Sequence, residues 1–293
     1  MKRFFPFSLC LVLLLSGCTA PESNHAPNQN LVIHYIDVGQ ADCMLLIAGQ
    51  TSVLIDGGNT DTSAEVVSYL RRYGIEELDL IVNTHPHGDH LGGIPSVMAA
   101  FPVKEVWCSH PDYDTYLFDR FEQALRQEGL TGIQPAVGTV YASDGLTITV
   151  LGPVQPNEHY TDLNDTSLVL LVQYGQRKFL FTGDMEAYAE RLLATSGSLP
   201  DVDVLKVGHH GSYSSTSQEL LDKVKPEYGI ISCMLGNEYG HPHDAPMNRL
   251  KKAAVELYRT DLMGSVVLVT DGDTLAFFLE TTNTELTGYE KAS

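Results

Sequence analysis

Two β-sheets packed face to face and covered by helices on both outer faces, an αββα sandwich of the α/β class, is the fold the sequence predicts. Three observations predict it. Short apolar runs alternate with amphipathic segments from Leu31 to Leu279. The strand runs are nearly continuous in Val, Ile and Leu, the pattern of sheets buried on both faces. At 293 residues and 43% hydrophobic, the chain carries enough apolar side chain to fill a double-sheet core as a single domain.

The elements follow in order. Leu31–Val38, Cys43–Ala48 and Thr51–Ile55 read as strands, the last two joined by Gly49-Gln50. Thr62–Tyr73 reads as a helix ended by Gly74. A buried strand over Leu78–Val82 leads into a histidine-rich loop and a helix near Ile94–Ala100. A strand over Val103–Cys108 and an amphipathic helix over Tyr113–Glu128, closed by Gly129, complete the first half. Beyond Gly138, strands are expected at Leu146–Leu151, Ser167–Tyr174, Arg177–Thr182, Val202–Val207, Glu227–Cys233, Val266–Val269 and Thr274–Leu279. Helices are expected at Glu186–Thr195, Ser217–Val224 and Ala245–Glu256.

The chain starts as an exported one. Met1-Lys2-Arg3 supplies a positive end, and Phe4 to Leu15 is too short an apolar run to span a bilayer, which takes about 20 residues. Leu15-Ser16-Gly17-Cys18 follows and resembles a bacterial lipobox, which implies removal of residues 1–17 as a signal peptide and a lipid anchor on Cys18; the alternative is a plain signal peptide or a signal anchor with an incidental cysteine. The polar, Pro/Asn-rich residues 18–30 suit a flexible tether, residues 31–282 the folded domain and residues 283–293 a polar tail. The expected location is therefore the extracytoplasmic side of a bacterial membrane. Cys43, Cys108 and Cys233 sit in apolar contexts with no C-x-x-C spacing, so a thiolate zinc site is not indicated. The net charge of −19, from 18 Lys+Arg against 37 Asp+Glu, weighs against broad binding of nucleic acid but not against a local cationic centre.

Chemistry gathers in short segments, each just past a strand. Thr84-His85-Pro86-His87-Gly88-Asp89-His90 places three imidazoles and a carboxylate on one loop, and these are suitable ligands for Zn2+ or Mn2+. Alternation points His85 and His87 one way, while Asp89 and His90 face a second ion. The H-x-H-x-D-H spacing resembles the signature of the metallo-β-lactamase superfamily, as do Leu54-Ile55-Asp56-Gly57-Gly58 and Thr182-Gly183-Asp184. A narrower resemblance rests on Asp37-Val38-Gly39-Gln40-Ala41-Asp42, Asn164-Asp165-Thr166-Ser167, Lys206-Val207-Gly208-His209-His210-Gly211-Ser212, Tyr239-Gly240-His241-Pro242-His243 and Tyr258-Arg259-Thr260-Asp261. These are similar to the soluble hydrolase domain of ComEC-type DNA-uptake proteins. The channel of such proteins is not seen in this sequence, so a free-standing, lipid-tethered relative is expected.

The resemblance implies two divalent ions. His85 and His87 would hold the first, Asp89 and His90 the second, and Asp184 would bridge them. One of His209 and His210 would complete the second set, with His209 favoured and His210 left to contact substrate. Asp56 reads either as an orienter of a ligand imidazole or as a simple turn residue. Asn164 stands where other members of the fold carry a third histidine, so the first site is expected to be weaker and β-lactam hydrolysis is disfavoured. The alternative for Asn164 is a turn residue capping the next strand. Ser167 and His243 join Asn164 as expected substrate contacts, and His241 joins Asp89 and His210 as expected proton-handling groups; the alternative for His241 and His243 is an ordinary surface loop. Asp37, Gln40 and Asp42 are expected to build the entrance strand.

The expected activity is hydrolysis of a phosphodiester, small or nucleic acid, by hydroxide on the paired ions. A small or wall-linked phosphoester, such as a phosphocholine ester, is the second expectation. A non-catalytic binding lipoprotein is the third, and the intact ligand set argues against it.

Overall fold

The computed structural model describes residues 30–110 and 113–280. The signal segment, Cys18, nearly all of the tether and the C-terminal tail lie outside the described residues. Strands β1 (Leu31–Tyr35), β2 (Met44–Ala48), β3 (Thr51–Ile55), β4 (Leu78–Asn83) and β5 (Val103–Cys108) open the chain. Then come β6 (Val140–Ser143), β7 (Leu146–Gly152), β8 (Val169–Tyr174), β9 (Arg177–Phe181), β10 (Val204–Lys206), β11 (Tyr228–Ile231) and β12 (Glu256–Arg259). β13 (Ser265–Thr270) and β14 (Leu275–Glu280) return to the first sheet. One sheet runs β14-β13-β1-β2-β3-β4-β5, the other β12-β11-β10-β9-β8-β7-β6.

Eight helices flank them among the described residues. These are α1 (Ser63–Arg72), α2 (Gly88–Leu91), α3 (Ile94–Ala100), α4 (Tyr116–Glu128), α5 (Ala187–Thr195), α6 (Gln218–Val224), α7 (Asp244–Lys252) and α8 (Thr260–Met263). None of them is long and apolar enough to cross a membrane.

Three apolar layers hold the sandwich together. Ile33, Tyr35 and Leu46 of the first sheet share the central layer with Ile148, Leu170 and Phe181 of the second. Tyr35 stacks on Phe181 across it, with centroids 5.9 Å apart. Val66, Val97 and Phe121 from α1, α3 and α4 pack on Leu45, Leu54 and Ile81. On the far side Leu193, Leu220 and Leu250 from α5, α6 and α7 cover Leu180, Leu205 and Ile231. Each such side chain contributes about 1.5–3 kcal/mol by leaving water. These layers, more than the exposed ion pairs, sustain the fold.

The predicted αββα architecture is the observed one, with local differences. The helix expected over Ala245–Glu256 stops at Lys252, because Ala254 takes a left-handed φ of 58° and the chain turns into β12. β12 pairs with β11 in parallel as an edge strand. β6 was not expected, since only one of its faces meets the core. α4 starts at Tyr116 instead of Tyr113, where Thr115 Oγ1 accepts the Phe118 amide at 3.2 Å.

β3, β4 and β5 are parallel, as are β9, β10 and β11. The loops leaving the C-terminal ends of these strands converge at one rim, where open α/β sheets place their ligand sites.

Candidate metal centre

Asp56 follows β3 at once, with a φ of 58° that a non-glycine residue holds only under constraint. Its amide donates to Val82 O at 2.8 Å. Its carboxylate accepts the Thr84 amide at 2.8 Å and the Thr84 hydroxyl at 2.7 Å. Oδ2 also accepts from His90 Nδ1 at 2.8 Å, which fixes the tautomer and leaves His90 Nε2 free to ligate. Next in chain, α2 is a single turn that begins after His87 and presents His90 inward. Gly93 lets this turn lie directly on the strand end, since a Cβ there would meet Gly57 O at 2.0 Å. His85 and His87 face each other, with Nε2 and Nδ1 3.0 Å apart.

The other half of the rim comes from the second sheet. Asp184 follows β9; its Oδ1 lies 3.3 Å from His90 Nε2 and its Oδ2 3.5 Å from His210 Nε2. After β10, His209 and His210 both take left-handed backbone, with φ of 47° and 52°. Two such residues cost about 1–3 kcal/mol each, which the surroundings must offset. The buried carboxylate of Glu190 accepts the amides of Thr216 and Ser217, and Arg249 donates to Ser215 O and Thr216 O. Thr216 Oγ1 in turn accepts from Gly208 N at 3.3 Å. This clamp holds the strained pair in place.

The pair divides the work differently from the sequence expectation, which favoured His209 as ligand. His210 Nδ1 lies 2.9 Å from Ser232 O, which can only accept, so Nδ1 carries the proton and Nε2 faces Asp89 Oδ2 at 3.1 Å. His209 turns the other way. Its Nδ1 sits 3.1 Å from Glu186 Oε1 and its Nε2 3.7 Å from Asp184 Oδ2. Asp89, His90, Asp184 and His210 each offer a ligand atom within 4.8 Å of the others. The geometry therefore favours His210 over His209, because the left-handed backbone rolls His210 under the cluster.

The donor set fits divalent ions on its own terms. His90 Nε2 and Asp184 Oδ1 are buried and face each other at 3.3 Å without forming a well-aligned hydrogen bond, an arrangement that costs stability unless something else meets them. Burial pulls the His210 imidazole down, but Asp184, Asp42 and Asp89 outweigh it and push it up to about 10. His90 is likewise raised, its carboxylate neighbours overcoming burial. So many buried carboxylates demand positive charge, and mixed imidazole–carboxylate donors suit two divalent cations.

The remaining expected residues scatter. Asn164 Nδ2 lies 3.4 Å from Glu186 Oε1, while its buried Oδ1 has no partner at the edge of a cavity of about 330 Å³. Ser167 does not reach that cavity: its hydroxyl accepts the Asp184 amide at 3.1 Å and lies 3.4 Å from His85 Nδ1, so it orients those groups instead of touching substrate. His241 accepts from Gln40 Nε2 at Nδ1, 3.1 Å away. Burial first, then His210 and His209, lower its pKa to about 4, which removes it as a proton donor near neutrality. His243 Nδ1 accepts the Tyr213 amide at 3.1 Å and so anchors a loop.

Two functional residues escaped the sequence reading. Asp42, assigned to an entrance strand, lies beneath the cluster, 3.4 Å from His210 Nδ1 and 2.9 Å from Lys206 Nζ, all fully buried. Glu186 gathers His209, Asn164 and Ser214 around one oxygen. Lys206 carried a legible signal, since a lysine inside an apolar strand requires a buried partner. Glu186 carried none.

Comparison with known proteins agrees with this geometry. The metallo-beta-lactamase superfamily profile matches residues 36–234. The chain is 31% identical over 257 residues to ComE operon protein 3 of Bacillus subtilis, covering 80% of this chain and 32% of that protein. It is 29% identical to competence protein ComA of Neisseria gonorrhoeae, covering 87% and 34%. The chain thus spans about a third of the length of these curated relatives. The metallo-beta-lactamase fold protein YhfI from Bacillus subtilis superposes with a TM-score of 0.57 at 15% identity, covering 83% of this chain and all of that one, a likeness of fold alone. Since the profile covers more than half of the sequence and runs through the loops that join Asp89, His90 and Asp184, the chain belongs to the metallo-beta-lactamase superfamily and is a metal-dependent hydrolase.

Proposed function

We propose that the chain hydrolyses phosphodiesters outside the cytoplasm, tethered to a membrane by lipid on Cys18. The observation that carries the bond type is Asn164, whose unpartnered oxygen stands where β-lactam and lactone hydrolases of this fold use a histidine. The resemblance to DNA-uptake hydrolase domains supports the same reading. His85, His87, Asp89, His90, Asp184 and His210 would hold the two ions. Bound there, Zn2+ or Mn2+ supplies activation of water at neutral pH and neutralises charge gathering on a phosphoryl group.

The chain's own residues do the rest. Asp89 faces the cavity and takes the proton of the attacking water. His209, backed by Glu186 as a carboxylate-oriented imidazole, directs Nε2 into the cavity and protonates the leaving oxygen. That role passes to it from His210, which the cluster occupies, and from His241. A net charge of −19 favours short or small diesters, wall-linked phosphoesters among them, over long duplex DNA.

Metal content and turnover of bis(p-nitrophenyl) phosphate test this together. Two ions per chain and diester cleavage are expected; a metal-loaded enzyme inert toward diesters but active on a lactone, thioester or β-lactam sinks it. His209→Ala should keep both ions and lose about 10²–10³ in kcat, whereas His210→Ala should lose an ion. Retention of both ions by His210→Ala reverses the assignment. For the anchor, Cys18→Ser should shift the protein from the membrane to the soluble fraction, and unchanged fractionation and mass count against lipidation.

A further inference from the structure

We propose that His241 is a catalytic residue that donates a hydrogen bond from Nε2 to an oxygen staying on the phosphoryl group, and that Gln40 is the positioning residue that sets it to do so. The proposal rests on the phosphodiester reading and deepens it, since it assigns a contact to the charge gathering on that group. Gln40 decides which ring nitrogen of His241 carries hydrogen. Its Oε1 lies 3.2 Å from the Met234 amide, which can only donate, so the other end of the side-chain amide is the NH2 group. That group points at His241 Nδ1 from 3.1 Å, so Nδ1 must accept. An imidazole whose Nδ1 accepts carries its hydrogen on Nε2.

Imidazoles of the cluster are set the opposite way. Asp56 takes the Nδ1 hydrogen of His90 and Ser232 O that of His210, which leaves both Nε2 lone pairs to ligate. His241 offers an N–H where those two offer a lone pair, so it is not a further ligand. The ring lines the cavity with Asp184, His209 and His210, and among the described residues its Nε2 has no hydrogen-bond partner. Its place is fixed. Buried Asn237 accepts the amides of Tyr239 and His241 and donates to Met234 O and His241 O. The ring stacks with Tyr239 at 5.6 Å and 26° and with His210 at 6.4 Å and 25°, so its edge, not its face, is left for a ligand.

The rest of the cavity makes such a donor necessary. No Lys or Arg lines it, whereas Asp89 and Asp184 do. Asn164 turns its Nδ2 to Glu186, and Gln40 spends its own Nε2 on His241. A phosphoryl group in transfer carries charge on several oxygens at once, and donors already in place stabilise that charge. An uncharged ring N–H suits the task, because it polarises an oxygen without giving up its hydrogen.

Nitrogen NMR of the histidine rings tests the setting without turnover, in the metal-free and the Zn2+-loaded full chain. His241 should carry hydrogen on Nε2 and none on Nδ1 in both, and Gln40→Glu should place a hydrogen on Nδ1. Hydrogen on Nδ1 in the wild type, or loss of the Nε2 hydrogen on loading with Zn2+, overturns the proposal. Turnover of bis(p-nitrophenyl) phosphate tests the contact. His241→Ala should keep both ions and lose about 10²–10³ in kcat with little change in KM. Gln40→Met should lose about 3- to 10-fold alone and nothing further in the His241→Ala background, because it acts through that ring. An ion lost from His241→Ala, a kcat within about 3-fold of wild type, or additive losses in the double variant overturns the assignment. Failure of the phosphodiester reading shows separately, as a loaded wild-type enzyme inert toward diesters but active on a lactone. The same variant losses read on that lactone uphold the donor, and their absence overturns it.

Discussion

Replacing Asp184 by alanine is expected to strip both ions and to lower turnover by at least about 10³-fold. The carboxylate is 1% exposed and spends its two oxygens on different neighbours, Oδ1 toward His90 and Oδ2 toward His210 and His209. The other groups in the cluster meet it from two loops, Asp89 and His90 from the first sheet's side and His210 from the second's, so its loss unlinks the two sheets' contributions at once. Burial raises the Asp184 carboxyl, but His90 and His210 hold it well below the usual carboxylate range. The ionised form of Asp184 is therefore favoured. Elemental analysis should find about two ions per chain in the wild type, near none in Asp184→Ala, and one in His90→Ala. Asn164→Ala should lose far less, since Asn164 offers one oxygen at the edge of the cavity. Thermal melting of the metal-free Asp184→Asn protein separates lost ligation from lost folding. Two ions retained by folded Asp184→Ala would falsify the shared-ligand reading.

The parts of this site that lie close together in sequence were legible, and those joined across the fold were less so. His85, His87, Asp89 and His90 occupy one loop whose spacing points to metal chemistry; of these the fold gathers Asp89 and His90 with Asp184 and His210, while His85 and His87 face each other. The double-sided burial of β2, β3 and β4 is written in their apolar runs, and so is the sandwich. The choice between His209 and His210 was not legible, because it is decided by left-handed backbone at both residues, which nothing in the sequence announces. Asp42 was misplaced for a related reason. Its amide donates to Asp89 O and its carbonyl accepts from Gly58 N, so the chain folds back under the cluster instead of continuing as a strand. Glu186 looks like any residue at a helix start until Asn164 and His209 close on it from distant segments. β6 and β12, both edge strands only partly covered, offer too few buried positions to show a period.

Lys206→Met should lower stability by about 3–5 kcal/mol at neutral pH, although the residue touches no substrate. Lys206 and Asp42 are both fully buried, with Nζ 2.9 Å from Oδ2, and Nζ also donates to Val207 O at 3.0 Å. Burial alone would raise the Asp42 carboxyl, but Lys206, and then His210, hold it down at about 2. Without the ammonium, Asp42 faces Asp56 and the cluster carboxylates with only imidazoles to balance it, and its folded pKa must rise above the unfolded value of about 3.9. A carboxyl shifted upward is destabilising once pH exceeds the unfolded pKa, so the deficit should be largest near pH 7 and shrink as pH approaches 4. In melting temperature the loss amounts to about 6–20 °C. Replacing both partners, Asp42→Leu with Lys206→Met, should recover most of it, since an apolar pair of similar volume needs no compensating charge. The double variant should nevertheless bind its His210-side ion about 10–100-fold more weakly, because Asp42 no longer lies behind that imidazole. A Lys206→Met protein that melts within about 2 °C of wild type at pH 7, less than 1 kcal/mol of change, would show that the pair is not what joins the two sheets beneath the metal ligands.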